Sequence, residues 1–122
     1  FKNTTPESLY DIYMDAKKHS KAIGGDVKIS SKIGSSYSSW GGYITGKTFQ
    51  IIKGKMIVQS WRSSDFKARD LDSTFILQFE KKNNDALLLM VHANVPDHQY
   101  DQVKSGWNDY YWKPWKKYIS GK

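Results

Sequence analysis

The 122-residue sequence contains no cysteine, which excludes disulfides, thiolate metal ligands and a cysteine nucleophile. Long apolar runs are also missing. The longest, Ala86 to Val91, is far too short for a transmembrane helix, and no h-region with a cleavage site is present. A cytoplasmic location is therefore the default expectation. Histidine is limited to His19, His92 and His98, with no HExxH or similar spacing between them. No GxSxG elbow, Walker loop or dinucleotide fingerprint occurs, and GGYITGK has glycines and a lysine without the spacing a phosphate loop needs. Asp70 and Asp72 read as a solvated pair at a loop edge. Catalytic residues, a bound metal and a cofactor are thus not expected.

Arginine is nearly absent too: Lys and Arg together number 19, of which only Arg62 and Arg69 are Arg, against 12 Asp and Glu, for a net charge of +7. That balance permits attraction to an acidic protein, a membrane surface or nucleic acid and specifies none of them. Lys113, Lys116 and Lys117 do cluster beside Trp112 and Trp115, but the scarcity of arginine and the lack of a recognisable module argue against nucleic acid. What the chain has in excess is aromatic side chains, including 5 Trp and 8 Tyr. They need an interior to occupy.

Helix signals open the chain. Thr5 is a suitable N-cap with Pro6 at the first helical position, and Leu9, Ile12, Tyr13 and Ala16 follow at helical spacing. Asp15 can cap a second short helix, which Gly24 and Gly25 would end. His19, among lysines on that helix, reads as a surface residue. The residues before Pro6 are too few for a whole strand, so a first strand, if the fold has one, is truncated and a sheet edge is left open. From Val27 the period changes to two, and the pattern predicts strands over 27–31, 37–40, 43–52, 56–62, 72–80 and 86–93. Short connections such as Lys53-Gly54 and KKNND make neighbouring strands antiparallel. SSDFKARDLD is the one long mid-chain loop, with Arg62 beside it expected in a surface salt bridge.

The last element, beginning at Pro96 and Asp97, is a long amphipathic helix. Tyr100, Val103, Trp107, Tyr110, Tyr111, Pro114 and Tyr118 fall in one band, with Trp115 at its flank. Pro114 lacks an N–H and meets the carbonyl four residues back, which predicts a bend or local defect near Tyr110. His98 reads as a solvated residue of the first turn. A sheet polar on its convex side and apolar on its concave side needs a cover, and this helix has the right face. The expected fold is α+β: a curved antiparallel sheet wrapped around a long C-terminal helix, with two short N-terminal helices, as one domain over 1–122. Between sheet and helix lies an apolar space, filled by side chains or by a ligand.

SLYDIYMDAKKHSKAIGG, GGYITGK followed by IVQSWR, and NVP followed by GWNDYYWKPWKKY together carry a resemblance over about Pro6 to Ile119. The chain resembles the activator-of-Hsp90-ATPase homologue group of the START/Bet v 1-like helix-grip superfamily, especially its small bacterial single-domain members. It departs from the family pattern at Gly34-Ser35, where paired glycines are usual, and at Phe66-Lys67, where a Trp-Pro pair is usual. The resemblance implies the helix-grip fold and places Trp61 and the row Leu88, Met90 and His92 inside the grip. His92 then reads first as a hydrogen-bonded structural histidine, second as a ligand contact. Tyr43, Trp61, Phe75, Leu77, Leu88, Met90, His92, Trp107 and Tyr111 are the candidates for lining a cavity, with core packing as the competing role for each. The expected function is a non-enzymatic module binding a hydrophobic small molecule in that cavity. The alternative is a domain that binds an Hsp90-type chaperone or stimulates its ATPase.

Overall fold

A computed structural model of the protein describes residues 1–121. Thr5 Oγ1 accepts from the Ser8 N–H at 3.1 Å, so the first helix, α1 (Pro6–Met14), starts at the expected cap. Asp15 Oδ1 accepts from the N–H groups of Lys17 and Lys18 at 3.0 and 3.1 Å, opening α2 (Ala16–Ile23). Gly24, at φ 75°, ends it in the left-handed conformation that favours glycine. Ahead of α1, Phe1 exchanges two backbone hydrogen bonds with Ala86, N to O at 2.8 Å and O to N at 2.9 Å. No other residue before Pro6 continues that pairing as a strand.

Six strands follow: β1 (Val27–Lys28), β2 (Ser36–Ser39), β3 (Ile44–Ile52), β4 (Met56–Ser63), β5 (Ser73–Lys82) and β6 (Asp85–Ala93). They form one open antiparallel sheet in sequence order. β1 is shorter than the 27–31 expected, and Tyr43 stands just before β3 rather than in it. A bulge between Thr48 and Gln50 in β3 shifts the register against β4 and turns Phe49 outward. On the concave face Ile57, Gln59 and Trp61 of β4 meet Phe75, Leu77 and Phe79 of β5, all buried. Gly46 is required there because a Cβ would collide with the Ser60 carbonyl and the Tyr37 ring.

The terminal helix lies across this concave face. A 3-10 turn (Asp97–Gln99) leads into α3 (Tyr100–Trp107), a π-helical turn (Asn108–Trp112) and α4 (Lys113–Gly121). At the π turn the Lys113 N–H donates to the Asn108 carbonyl, five residues back. Pro114, immediately after it, has no N–H to offer the Tyr110 carbonyl, which is the defect the sequence predicts at this point.

The extra residue in the turn corrects the expected buried band. Past Trp107 a regular wheel no longer applies: Tyr110 is 63% exposed, while Trp115, placed at the flank, is 0% exposed. Tyr100 is exposed as well, at the solvent-side start of α3.

The convex face also differs from expectation. Cross-strand rows there read Gln50, Val58, Ile76, Val91 and Ile52, Met56, Gln78, Leu89, with Ser60, Thr74 and Ala93 beside them. Between Arg62 at one end and Glu80, Lys82 and Asp85 at the other, the middle of this side over β4 to β6 is largely apolar instead of polar. β6 is the cause, since its apolar run leaves Leu87, Leu89 and Val91 on the outside.

Candidate functional site

The interior of the grip is a continuous aromatic cluster. Trp107 is central: its ring centroid lies 5.3 Å from Phe75, 6.1 Å from Trp61, 4.8 Å from Tyr111 and 5.4 Å from Trp112, the last stacked at 15°. Such tilted and stacked pairs fill space at ordinary packing distances, so the centre is occupied by side chains. Phe75 and Leu77, expected as cavity wall, are fully buried beneath these rings.

A chain of directed hydrogen bonds runs through the cluster. Trp107 Nε1 donates to His92 Nδ1 at 3.0 Å. An acceptor at Nδ1 means that neutral His92 carries its proton on Nε2, which donates to Ser73 Oγ at 2.8 Å. Ser73 in turn donates to the Trp61 carbonyl at 2.7 Å. His92 thus holds helix and sheet together as a neutral ring, and burial lowers its pKa from 6.5 to about 4.

A second polar chain was not legible in the sequence. His19, expected at the surface, is 1% exposed. Its Nδ1 donates to the Tyr13 carbonyl at 2.8 Å, so Nε2 is the acceptor for the Tyr111 hydroxyl at 3.2 Å. Burial, partly opposed by the bond to Tyr13, lowers its pKa to about 4. Nearby, Tyr13 donates to Gln59 Oε1 at 2.7 Å and Gln59 donates to Thr48 Oγ1 at 3.0 Å. Burial raises the Tyr13 and Tyr111 hydroxyls well above their ordinary range, and for Tyr13 the neighbouring Tyr37 and Tyr111 add to the shift. All these groups are uncharged and hydrogen-bonded, which suits structural rather than proton-transfer roles.

Space remains on either side of the central helix. A cleft of about 340 Å³ opens between β4 and α3, with Trp61, Trp107 and Tyr111 as its floor and Trp40, Tyr43 and Tyr110 around its mouth. Tyr43, expected inside, is 43% exposed and donates from its hydroxyl to Asp65 at the lip. Met90 and His92 instead face a second cleft of about 350 Å³ between β6 and α3. Leu88, partly buried against the core, lines neither. The nine candidates therefore divide among a packed core and two separate clefts. A third, broader groove of about 930 Å³ runs between α1, α2 and α4, lined by Ile12, Lys21, Ile23, Lys117 and Tyr118 among others.

The entrance loop is held from below. Arg62 donates to the carbonyls of Asp70 and Lys67, both at 2.7 Å, and to Asp72 Oδ1 at 3.1 Å. It is a loop clamp more than the simple surface pair expected. His98, though exposed, is not merely solvated, because its Nε2 lies 2.7 Å from Asp70 Oδ2. This contact and the Lys67 N–H hold the Asp70 carboxyl below its usual range. Phe66 packs against Trp61 with centroids 5.8 Å apart, closing the loop over the core.

Among the described residues there is no group of three or more His, Asp or Glu able to hold a metal, and no helix is long and apolar enough to cross a membrane. Trp112 is stacked on Trp107 and Trp115 is buried, so neither ring beside the C-terminal lysines is free to stack on a base.

Comparison with known proteins matches residues 3–120 to the family model described as activator of Hsp90 ATPase homolog 1-like protein. The human protein "Activator of 90 kDa heat shock protein ATPase homolog 1" is 23% identical over 110 residues, which are 90% of this chain and 32% of that protein. The chain thus spans about a third of the length of the curated relatives it matches. The crystal structure of an HSP90 activator from Plasmodium falciparum superposes with a TM-score of 0.85 at 26% identity, covering 98% of this chain and 90% of the other. A protein from Mesorhizobium loti gives a TM-score of 0.84 at 15% identity over 100% of this chain and 93% of that one; at that identity the likeness is one of fold.

Proposed function

Because the chain belongs to the activator of Hsp90 ATPase homolog 1-like family, we propose that it is a binding domain that docks on an Hsp90-type chaperone and stimulates its ATPase. The observation that carries this reading is the extent of the Plasmodium falciparum match: the chain of that HSP90 activator is covered over 90% of its length. A domain of about this size is therefore a reasonable unit of activation without the remaining two-thirds of the human relative. The +7 net charge suits an acidic partner surface. The filled centre of the grip weighs in the same direction, since the rings packed around Trp107 occupy the space a buried small molecule would need. In this reading the domain works by association, without chemistry of its own, in the cytoplasm.

Titration calorimetry with a purified 90 kDa heat-shock protein, run beside an ATP-hydrolysis assay, tests the proposal. Saturable, salt-sensitive binding with faster hydrolysis is expected. No heat and no change in hydrolysis at low salt would overturn it.

The small-molecule reading keeps one specific support, the open cleft of about 340 Å³ floored by Trp61, Trp107 and Tyr111, a volume near the lower end for ligand sites. Native mass spectrometry of protein purified under mild conditions checks it, with a retained apolar compound as the expected result.

A further inference from the structure

Charge is distributed unevenly among the clefts of this basic chain. Lysine and arginine outnumber aspartate and glutamate by 19 to 12, and two of the clefts follow that excess. The one beside β6 carries Lys104, and the broad groove along α1, α2 and α4 carries Lys18, Lys21 and Lys117, with no carboxylate lining either. The cleft of about 340 Å³ between β4 and α3 is the reverse. Among the described residues its charged walls are Asp65 and Asp109 alone, and no lysine, arginine or histidine lines it.

The neighbouring cations are engaged or stand elsewhere. Arg62 is taken up by the loop carbonyls and Asp72, and Lys67 and Arg69, further along the entrance loop, are not among the walls. Lys113 reaches Asp109 at 3.4 Å, but both side chains are more than half exposed, so solvent screens the pair and the carboxylate stays open to a second cation. Asp65 accepts from the Tyr43 hydroxyl. That bond holds the hydroxyl's pKa above its ordinary range, so the two groups together keep one negative charge.

Most of the remaining wall is aromatic. Above the floor of Trp61, Trp107 and Tyr111, the Trp40 ring stands at 79° to Tyr110 and 88° to Tyr111, with centroids 6.1 and 5.4 Å apart. The rings around the mouth therefore lie in different planes. Trp40 is held there against its backbone preference: its φ is 50°, in the left-handed region where a bulky residue is an outlier. Its indole lies over Gly25, where a Cβ would come within 2.2 Å of the ring. Aromatic rings set around a space with carboxylates at its rim attract a weakly hydrated cation, and an alkylated ammonium suits them because it demands few hydrogen bonds.

We propose that this cleft binds a small organic cation, an alkylated ammonium group on a short apolar body. The ammonium sits among Trp40, Tyr43 and Tyr110 beside the two carboxylates, and the apolar part lies on the floor rings. The inference rests on the small-molecule reading of the cleft and adds the charge of the ligand. The same carboxylates select against a fatty acid or any other anionic amphiphile.

The test titrates the full chain with acetylcholine and with neohexyl acetate, its uncharged isostere with carbon in place of nitrogen, read by two-dimensional NMR of the indole N–H groups. Acetylcholine is expected to shift the Trp40 and Trp61 signals saturably and to bind at least about tenfold more tightly than the isostere. Asp65→Asn with Asp109→Asn should bring the two affinities together. Tyr110→Leu, at a 63% exposed position, should weaken acetylcholine binding without unfolding the chain, and it decides alone if the carboxylate pair disturbs folding. Equal affinity of the wild type for the two compounds, or acetylcholine binding that every folded variant preserves, overturns the cation and leaves the small-molecule reading standing. Binding of neither compound also overturns it; a neutral compound retained in native mass spectrometry would then keep the small-molecule reading, and its absence would remove both.

Discussion

Trp107 donates its indole proton to His92 at 3.0 Å, and that one bond sets the tautomer of the histidine, the direction of its bond to Ser73 and the attachment of helix to sheet. A proton added at Nδ1 of His92 would face the indole N–H donor. The ring can remain in place only while it is neutral.

Acid should therefore weaken the fold before its carboxylates are exhausted. His92 and His19 both have folded pKa values lowered to about 4 by burial, against about 6.5 when unfolded. Between those values the unfolded chain takes up protons that the folded chain refuses, so stability is full above about pH 6.5, falls as the pH drops toward about 4, and levels off below that for these two groups. Each unit of depression corresponds to about 1.4 kcal/mol. Urea melts at about pH 7 and about pH 4.5 check this; equal midpoints would mean that the two rings are not held neutral.

Two tryptophans of similar burial should respond differently to loss of the indole nitrogen. Trp115 is fully buried and its Nε1 has no acceptor, an arrangement that costs about 1–3 kcal/mol. Trp107→Phe removes a made bond and leaves His92 Nδ1 unsatisfied, whereas Trp115→Phe removes an unmade one. Trp107→Phe should be the more destabilising, and Trp107→Ala should cost about 3–5 kcal/mol. Denaturant melts of the three variants decide the order.

Gly46→Ala should destabilise by about 1–3 kcal/mol through overpacking, because the added methyl meets the Ser60 carbonyl and the Tyr37 ring. Lys116→Ala, on an exposed side of α4, should stay within about 0.5 kcal/mol of wild type. Thermal melts of both are sufficient.

Arg62→Ala should loosen the loop it clamps with little effect on the sheet. Hydrogen exchange at the Asp70 amide, bonded to the Lys67 carbonyl at 2.9 Å, is expected to accelerate at least tenfold while the amides of Phe75 and Leu77 keep their protection.

These features were unequally legible in the sequence. Thr5, Pro6, Asp15 and Gly24 announce the first two helices because capping is local chemistry, read within four residues. Alternation located the longer strands to within a few residues, and the inward side of Trp61 came from the family resemblance. His19 was misread because three of its near neighbours, Lys17, Lys18 and Lys21, are solvated. What buries it is Tyr111, 92 residues away in sequence. Gln59 did carry a signal, since it stands between Ile57 and Trp61 on the inward row, but its partners Tyr13 and Thr48 come from two other elements. The outer face of β6 was visible in the unbroken run Ala86 to Val91. The general expectation of a polar convex side concealed it.

The wide turn at Asn108–Trp112 divides the terminal helix into two lengths that present different sides to the solvent. Lys104, ahead of it, borders the cleft beside Met90, while Lys117, beyond it, borders the groove against α1 and α2. Deleting one residue from the turn would swing everything downstream by about 100°, carrying Trp115 out of the interior. Gapless alignment with a relative that lacks this turn would consequently assign solvent positions to core residues from Tyr111 onward.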